Sequence, residues 1–192
     1  MLPKGAIRNV HEHYFGSPQF RGEVARAFRE FFGDADSGKD GALAPPDWAA
    51  SLFNEWFLFD FVLWNGRTPL EDFIARNPLS LPKEALGLYR ALQESRTGLF
   101  EVKAIALGES LALKELRTGT RFRVREFSAT FTLRKGDLFF GRVGKVGDRW
   151  ELVGSDLVGV PRGTQAVERW TGEGGARLTP KAVYEALTRR TR

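Results

Sequence analysis

The sequence predicts an α+β protein: an N-terminal helical unit, then a small five-stranded SH3-like or OB-like β-barrel, then a C-terminal helix. Three observations carry this. Apolar residues before about residue 96 recur at steps of three and four, the period becomes two from Leu99 onward, and turn pairs then follow at short intervals, as in a meander or small barrel. The divisions are a helical unit over 1–96, a barrel over 97–170, and a Gly-rich linker with a basic helix over 171–192.

No helix is assigned before Phe20. From there Phe20, Val24, Ala27, Phe28, Phe31 and Phe32 form one face of an amphipathic helix that Gly33 ends. Residues 34–46 are rich in turn formers, and Pro45-Pro46-Asp47 suits the first turn of a helix running to about Trp64. Its apolar residues, from Trp48 through Trp56 and Phe57 to Trp64, are too many for one stripe, so several of its sides should be buried. Asn65-Gly66 marks a turn, and Thr68-Pro69-Leu70-Glu71 supplies an N-cap, a first-turn proline and a capping-box glutamate for a short helix over 69–76. Pro82 opens another, with Leu86, Tyr89 and Leu92 facing a core until Thr97-Gly98 ends it.

Strands are expected near 99–107, 111–117, 120–127, 137–146 and 149–154, separated by turns at Gly108-Glu109, Thr118-Gly119, Lys135-Gly136 and Gly147-Asp148. A strand or loop holding Val167 and Trp170 follows Pro161-Arg162-Gly163. Thr179 and Pro180 start the last helix, and Arg189, Arg190 and Arg192 lie at its end, where cations favour the helix dipole.

Composition narrows the chemistry. The 192 residues are 42% hydrophobic and 12% aromatic, which argues against general disorder. The absence of cysteine excludes a disulfide scaffold, a Cys-ligated metal site and a thiol nucleophile. The opening residues lack the charged and apolar regions of a signal peptide, and no run approaches a membrane span, so no membrane association is expected and a cytoplasmic protein is. Charge is unevenly divided: residues 1–95 hold 10 basic and 13 acidic residues, and 96–192 hold 19 and 11. A basic excess confined to one half suggests a face that meets an anion such as nucleic acid. Arg outnumbers Lys 21 to 8, however, a bias that a thermophile or a GC-rich genome also produces.

The succession Trp56-Phe57-Leu58-Phe59-Asp60, Gly66-Arg67-Thr68-Pro69-Leu70, Leu99-Phe100-Glu101-Val102, Thr118-Gly119 and Lys135-Gly136-Asp137 resembles a group of uncharacterised bacterial proteins that carry a C-terminal SEC-C zinc motif. The likeness covers about residues 53–155. That motif needs cysteines, so its zinc does not transfer. What the resemblance implies is the order, helices first and a β unit after.

The sharpest basic feature is Arg121-Phe122-Arg123-Val124-Arg125. Strand alternation puts its three guanidiniums on one face at steps of about 6.8 Å, with Phe122 and Val124 on the other. Arg142, Lys145 and Arg149 on the next hairpin extend the row, and Phe140 or Phe139 supplies a base-stacking surface. Alternatively, the arginines occupy a solvated strand face and pair with Glu101, Glu115 or Glu126.

Other constellations are weaker. His11-Glu12-His13 puts both imidazoles on one face if extended, but nothing else there supports a metal. Asp36 to Asp47 has EF-hand spacing but Gly38, which has no ligand, at loop position 3 and two prolines where the exiting helix should run. Asp60, inside an apolar run, calls for a partner such as Arg67 or nearby backbone N–H groups. Gly141 to Lys145 lacks phosphate-loop spacing, Ser128 and Ser155 lie in no nucleophile motif, and Glu71-Asp72 suits a helix N-terminus. No cofactor motif is present. The expected function is therefore non-catalytic binding of RNA or DNA through backbone contacts by Arg121, Arg123, Arg125, Arg142, Lys145 and Arg149, with Phe140 stacking. The alternative is a protein-interaction adaptor that docks through the aromatic segment 48–64.

Overall fold

The computed structural model describes residues 5–33, 47–154, 157–163, 165–171 and 178–188. The calcium-loop pattern falls almost wholly outside them, as do Arg189, Arg190 and Arg192. The chain divides into two compact units, Leu2–Gln93 and Glu94–Arg192.

The first unit holds α1 (Ala6–Phe15), a short 3₁₀ segment (Pro18–Phe20), α2 (Arg21–Phe32), α3 (Asp47–Phe59), α4 (Pro69–Arg76) and α5 (Lys83–Gln93). Helix α1 is the element the sequence reading did not assign. Ala6, Val10 and Tyr14, spaced four apart, form its buried stripe. As a helix it also separates His11 from His13, which turn toward different neighbours: His11 meets Asn54 and stacks on Phe15, while His13 packs against Phe20 and Phe73.

Helix α3 is buried on several sides, with Leu52, Phe53, Trp56, Phe57 and Leu58 all inside. It ends at Phe59 rather than Trp64 because the N–H groups of Asp60 and Phe61 both donate to the Trp56 carbonyl, which widens and closes the last turn. Phe61 and Leu63 stay buried without being helical, since hydrophobicity dictates burial and not backbone form. Helix α4 has the expected capping box: Thr68 Oγ1 accepts from Glu71 N, and the Glu71 carboxylate accepts from Thr68 N.

The second unit carries β1 (Arg96–Ala106), β2 (Ser110–Glu115), β3 (Arg121–Arg125), a 3₁₀ segment (Ser128–Phe131), β4 (Leu138–Val146), β5 (Arg149–Leu152), β6 (Val158–Gly159), α6 (Gln165–Thr171) and α7 (Pro180–Thr188). The protein is thus α+β, with N-terminal helices and a six-stranded mixed sheet. Its strand order is β1-β2-β3-β5-β4-β6, with a further pairing of β1 to β4. All neighbours are antiparallel except β3 and β5, which pair in parallel at Val124–Trp150 and Arg125–Glu151. Strand β1 serves two partners, β4 along Arg96 to Glu101 and β2 along Phe100 to Ala106. A register shift between Val102 and Ala104 bends it from one partner to the other.

The core under the sheet is Phe100, Val102, Leu111, Leu113, Phe122, Val124, Phe139 and Val143, the inward members of period-two strands. Residues 165–171, read as strand or loop, are helical: Val167 and Trp170 stand one helical step apart, and Thr171 Oγ1 donates to the Val167 carbonyl at 2.8 Å. The last helix begins as expected, with Thr179 Oγ1 accepting from Ala182 N at 3.2 Å. Among the described residues no helix is long and apolar enough to cross a membrane.

Candidate nucleic-acid interface

Strand β3 alternates as its sequence requires. Arg121, Arg123 and Arg125 are exposed, and Phe122 and Val124 are buried. The inward ring of Phe122 meets Phe100 at 6.0 Å and Trp150 at 4.9 Å, which anchors the strand and fixes the outward direction of its guanidiniums.

The three carboxylates expected from the sequence to neutralise the row are engaged elsewhere, while Glu109 and Asp148 line a depression with Arg123 and Arg125, and Glu151 stands opposite Arg125 on β5. Glu101 accepts from Arg162 at 2.9 Å and pairs with Lys103 at 3.2 Å; the Arg162 bond first, then Lys103, hold its carboxyl below the usual range despite some burial. Glu115 accepts from the backbone N–H groups of Arg117 and Thr118 and from the Thr118 hydroxyl. Glu126 accepts from Ala129 N at 3.0 Å. Among the described residues, no carboxylate pairs with Arg121, Arg123 or Arg125. Lys114 on β2 stands directly opposite Arg121, so the row gains a fourth cation and a like-charge neighbour.

Arg123 and Arg125 line a shallow depression of about 350 Å³. One wall is Glu109 and Ser110, where β1 turns into β2, and the other is Asp148, Arg149 and Trp150 at the β4–β5 hairpin. Both turns need a left-handed residue, supplied by Gly108 at φ 70° and Gly147 at φ 63°. Arg149 approaches the highly exposed Asp148 at 3.7 Å. An ion pair so exposed is weakly held and opens readily to a competing anion.

The remaining expected residues do not share this face. Lys145 is exposed but lies outside the depression, paired across the hairpin with Trp150. Arg142 is 6% exposed and donates to Ser95 Oγ at 3.1 Å, so its guanidinium is committed inside the unit. Phe140 is 2% exposed and Phe139 fully buried, which removes both as stacking surfaces. The reason is common to all three: β4 is buried on both faces from Leu138 to Gly144, so alternation there does not separate core from solvent. The outward aromatics are instead Phe127 and Phe131, at 65% and 58% exposure, just beyond the end of β3.

In the helical unit, sequence reasoning missed a buried polar centre. Asp72, 1% exposed, accepts from Tyr14 Oη at 2.8 Å, Asn65 Nδ2 at 2.7 Å and Arg76 Nε at 2.6 Å. Burial alone would raise its pKa, but the bonds from Arg76, Tyr14 and Asn65 outweigh it and hold the carboxyl below its ordinary value. The Tyr14 hydroxyl moves far the other way, through burial first and the Asp72 carboxylate second. Asp60, the candidate the sequence singled out, is half-buried at the end of α3. Among the described residues no group of three or more His, Asp or Glu side chains is arranged to hold a metal.

The features together define a small α+β protein with an exposed row of strand arginines that form no ion pair among the described residues. The model of a family of unknown function, DUF7986, matches residues 37–149, more than half of the chain, and the protein belongs to that family. The matched stretch includes every basic residue of the candidate face, from Lys114 to Arg149. Neither the curated proteins nor the solved structures contain a significant match to the chain.

Proposed function

We propose that this protein binds RNA or DNA without catalysis, through phosphate contacts made by Arg121, Arg123 and Arg125 on β3 and by Lys114 and Arg149 beside them. The observation that carries the reading is that the three β3 guanidiniums have no carboxylate partner among the described residues. Anchored, exposed and unpaired cations at strand spacing suit a phosphate backbone.

The pairing order supports the same reading. Strands that follow β1-β2-β3-β5-β4 and return to β1, with β3 parallel to β5, have the order of an OB-like five-stranded barrel. In such barrels the β2–β3 face, with the β1–β2 and β4–β5 loops, is the usual seat of oligonucleotides, and those elements border the depression here. A cytoplasmic setting belongs to the same proposal.

The test is a fluorescence-anisotropy titration with labelled single-stranded RNA, single-stranded DNA and duplex DNA at two salt concentrations. Binding that weakens steeply with salt and is lost in R123E/R125E is the expected result. No binding at low salt, or binding indifferent to the double reversal, overturns the proposal.

A second reading, docking of a protein partner on the helical unit, is favoured by Trp64 and Val62, which are 72% and 50% exposed in an otherwise buried segment. Its mark is an association lost in Trp64→Ser and insensitive to salt.

A further inference from the structure

In residues 94–192, the large apolar side chains that stand exposed among the described residues are Leu107, Phe127 and Phe131, and they belong to one corner. The rings of Phe127 and Phe131 meet edge to face at 5.2 Å. A Cβ placed on Gly108, the residue after Leu107, would lie 3.6 Å from the Phe127 ring and 3.8 Å from that of Phe131.

The corner is built rather than loose. Thr130 Oγ1 accepts from Gly108 N at 2.9 Å and donates to the Phe127 carbonyl, and Glu126 secures the 3₁₀ segment through Ala129 N. Ala129 is buried beneath it. Two phenylalanine rings are thereby held outward in a fixed pair, without the ordering cost that a floppy loop would bring on binding.

Cations bracket the pair along the chain. Arg125 precedes Phe127 by two residues, and the exposed Arg134 and Lys135 follow Phe131. On the other side of the same corner, Glu109 is adjacent to Gly108 and lines the depression that holds Arg123 and Arg125. An apolar platform two residues along the chain from Arg125, beside a depression where three arginines outnumber the Glu109 and Asp148 carboxylates, suits one ligand chemistry: a polyanion that also carries flat apolar faces.

We infer that the ligand is single-stranded nucleic acid, with its backbone along Arg123 and Arg125 and an unpaired base stacked on the Phe127–Phe131 pair. This rests on the backbone-contact reading and adds the ligand's strandedness to it. Duplex hides its base faces within its own stack, so only an unpaired strand can use the rings.

The experiment compares a fluorescein-labelled oligothymidylate of about ten nucleotides with a labelled hairpin whose G·C-rich stem has about ten base pairs, on the full chain and on F127A/F131A, F127Y/F131Y and R123E/R125E. The wild type should prefer the single strand by about tenfold or more, and F127A/F131A should erase that preference while keeping the salt dependence. F127Y/F131Y, which retains both rings, should restore it. Both pairs replace exposed rings, and matching thermal melts verify that the variants fold.

Salt-dependent binding that R123E/R125E abolishes, but that is equal for strand and duplex or unchanged in F127A/F131A, overturns this inference and leaves the backbone reading standing. Failure of the wild type to bind any probe overturns both.

Discussion

In the helical unit, the Asp72 carboxylate is almost wholly buried and accepts hydrogen bonds from three different side chains, whereas on β3 three guanidiniums stand in water and, among the described residues, none is paired with a carboxylate. The first arrangement spends its polar groups on one another. It is self-sufficient, and removing a member should harm the fold. The second leaves its polar groups unspent, and removing a member should harm little except an encounter with something outside the molecule. The contrast shows how a structural charge differs from a recognition charge: by whether its partners are already present, not by residue type.

The largest effect that sharpens this comparison is expected in the helical unit. Asp72→Ala should destabilise it by about 3 kcal/mol, because it orphans the Tyr14 hydroxyl and the Asn65 amide and frees Arg76. Urea denaturation followed by circular dichroism measures it, and a loss below about 1 kcal/mol would mean the centre is not structural. R123E/R125E is the mirror experiment. It should weaken nucleic-acid binding by about 100-fold at low salt while leaving the urea midpoint nearly unmoved. A large fall in stability would break the comparison by showing that the row is structural after all.

Acid should act on the helical unit in two stages. Burial, ahead of the attractions of Asn54 and Glu12 for His11 and of Asp72 for His13, lowers both imidazole pKa values below 6.5. The unfolded chain therefore takes up these protons first on acidification. Their stabilising contribution is complete above about pH 6.5 and is lost as pH falls through the lower folded values. Asp72 follows, its contribution present above the ordinary 3.8 and lost as pH falls below that. Thermal melts between neutral and acid pH should show both stages, and H11Q/H13Q should flatten the first.

The smallest effect is Arg121→Gln. It removes a like-charge neighbour of Lys114 and should raise stability by about 0.2–0.5 kcal/mol, while the slope of log affinity against log salt falls by about one. A stability loss instead would reveal a partner for Arg121.

Much of the fold was legible because its signals are local. The four hairpin and loop glycines, the capping box at Thr68 and Glu71, and the alternation in residues 121–125 each depend on a few adjacent residues, and each holds in the structure. Helix α1 was legible too, from Ala6, Val10 and Tyr14 at steps of four, whereas a metal pattern at His11 and His13 requires extended chain. The misplacement of Phe140 and Arg142 has a different origin. Period-two reasoning separates faces only when one side of a strand meets water, and β4 is covered on both. No local pattern reports that. The Asp72 centre was hidden for a similar reason, since Tyr14 lies 58 positions away in sequence.

The pairing scheme also limits how any partner can take hold. Each of the five longer strands has a neighbouring strand on two sides, and the short β6 adds a third neighbour to β4. Among the described residues the bare stretches are short: β3 meets β5 at Val124 and Arg125 alone, which leaves residues 121–123 without a strand partner on that side. A peptide adding itself as an extra strand would find only such short stretches, and copies crowded together have little backbone template on which to grow fibrils.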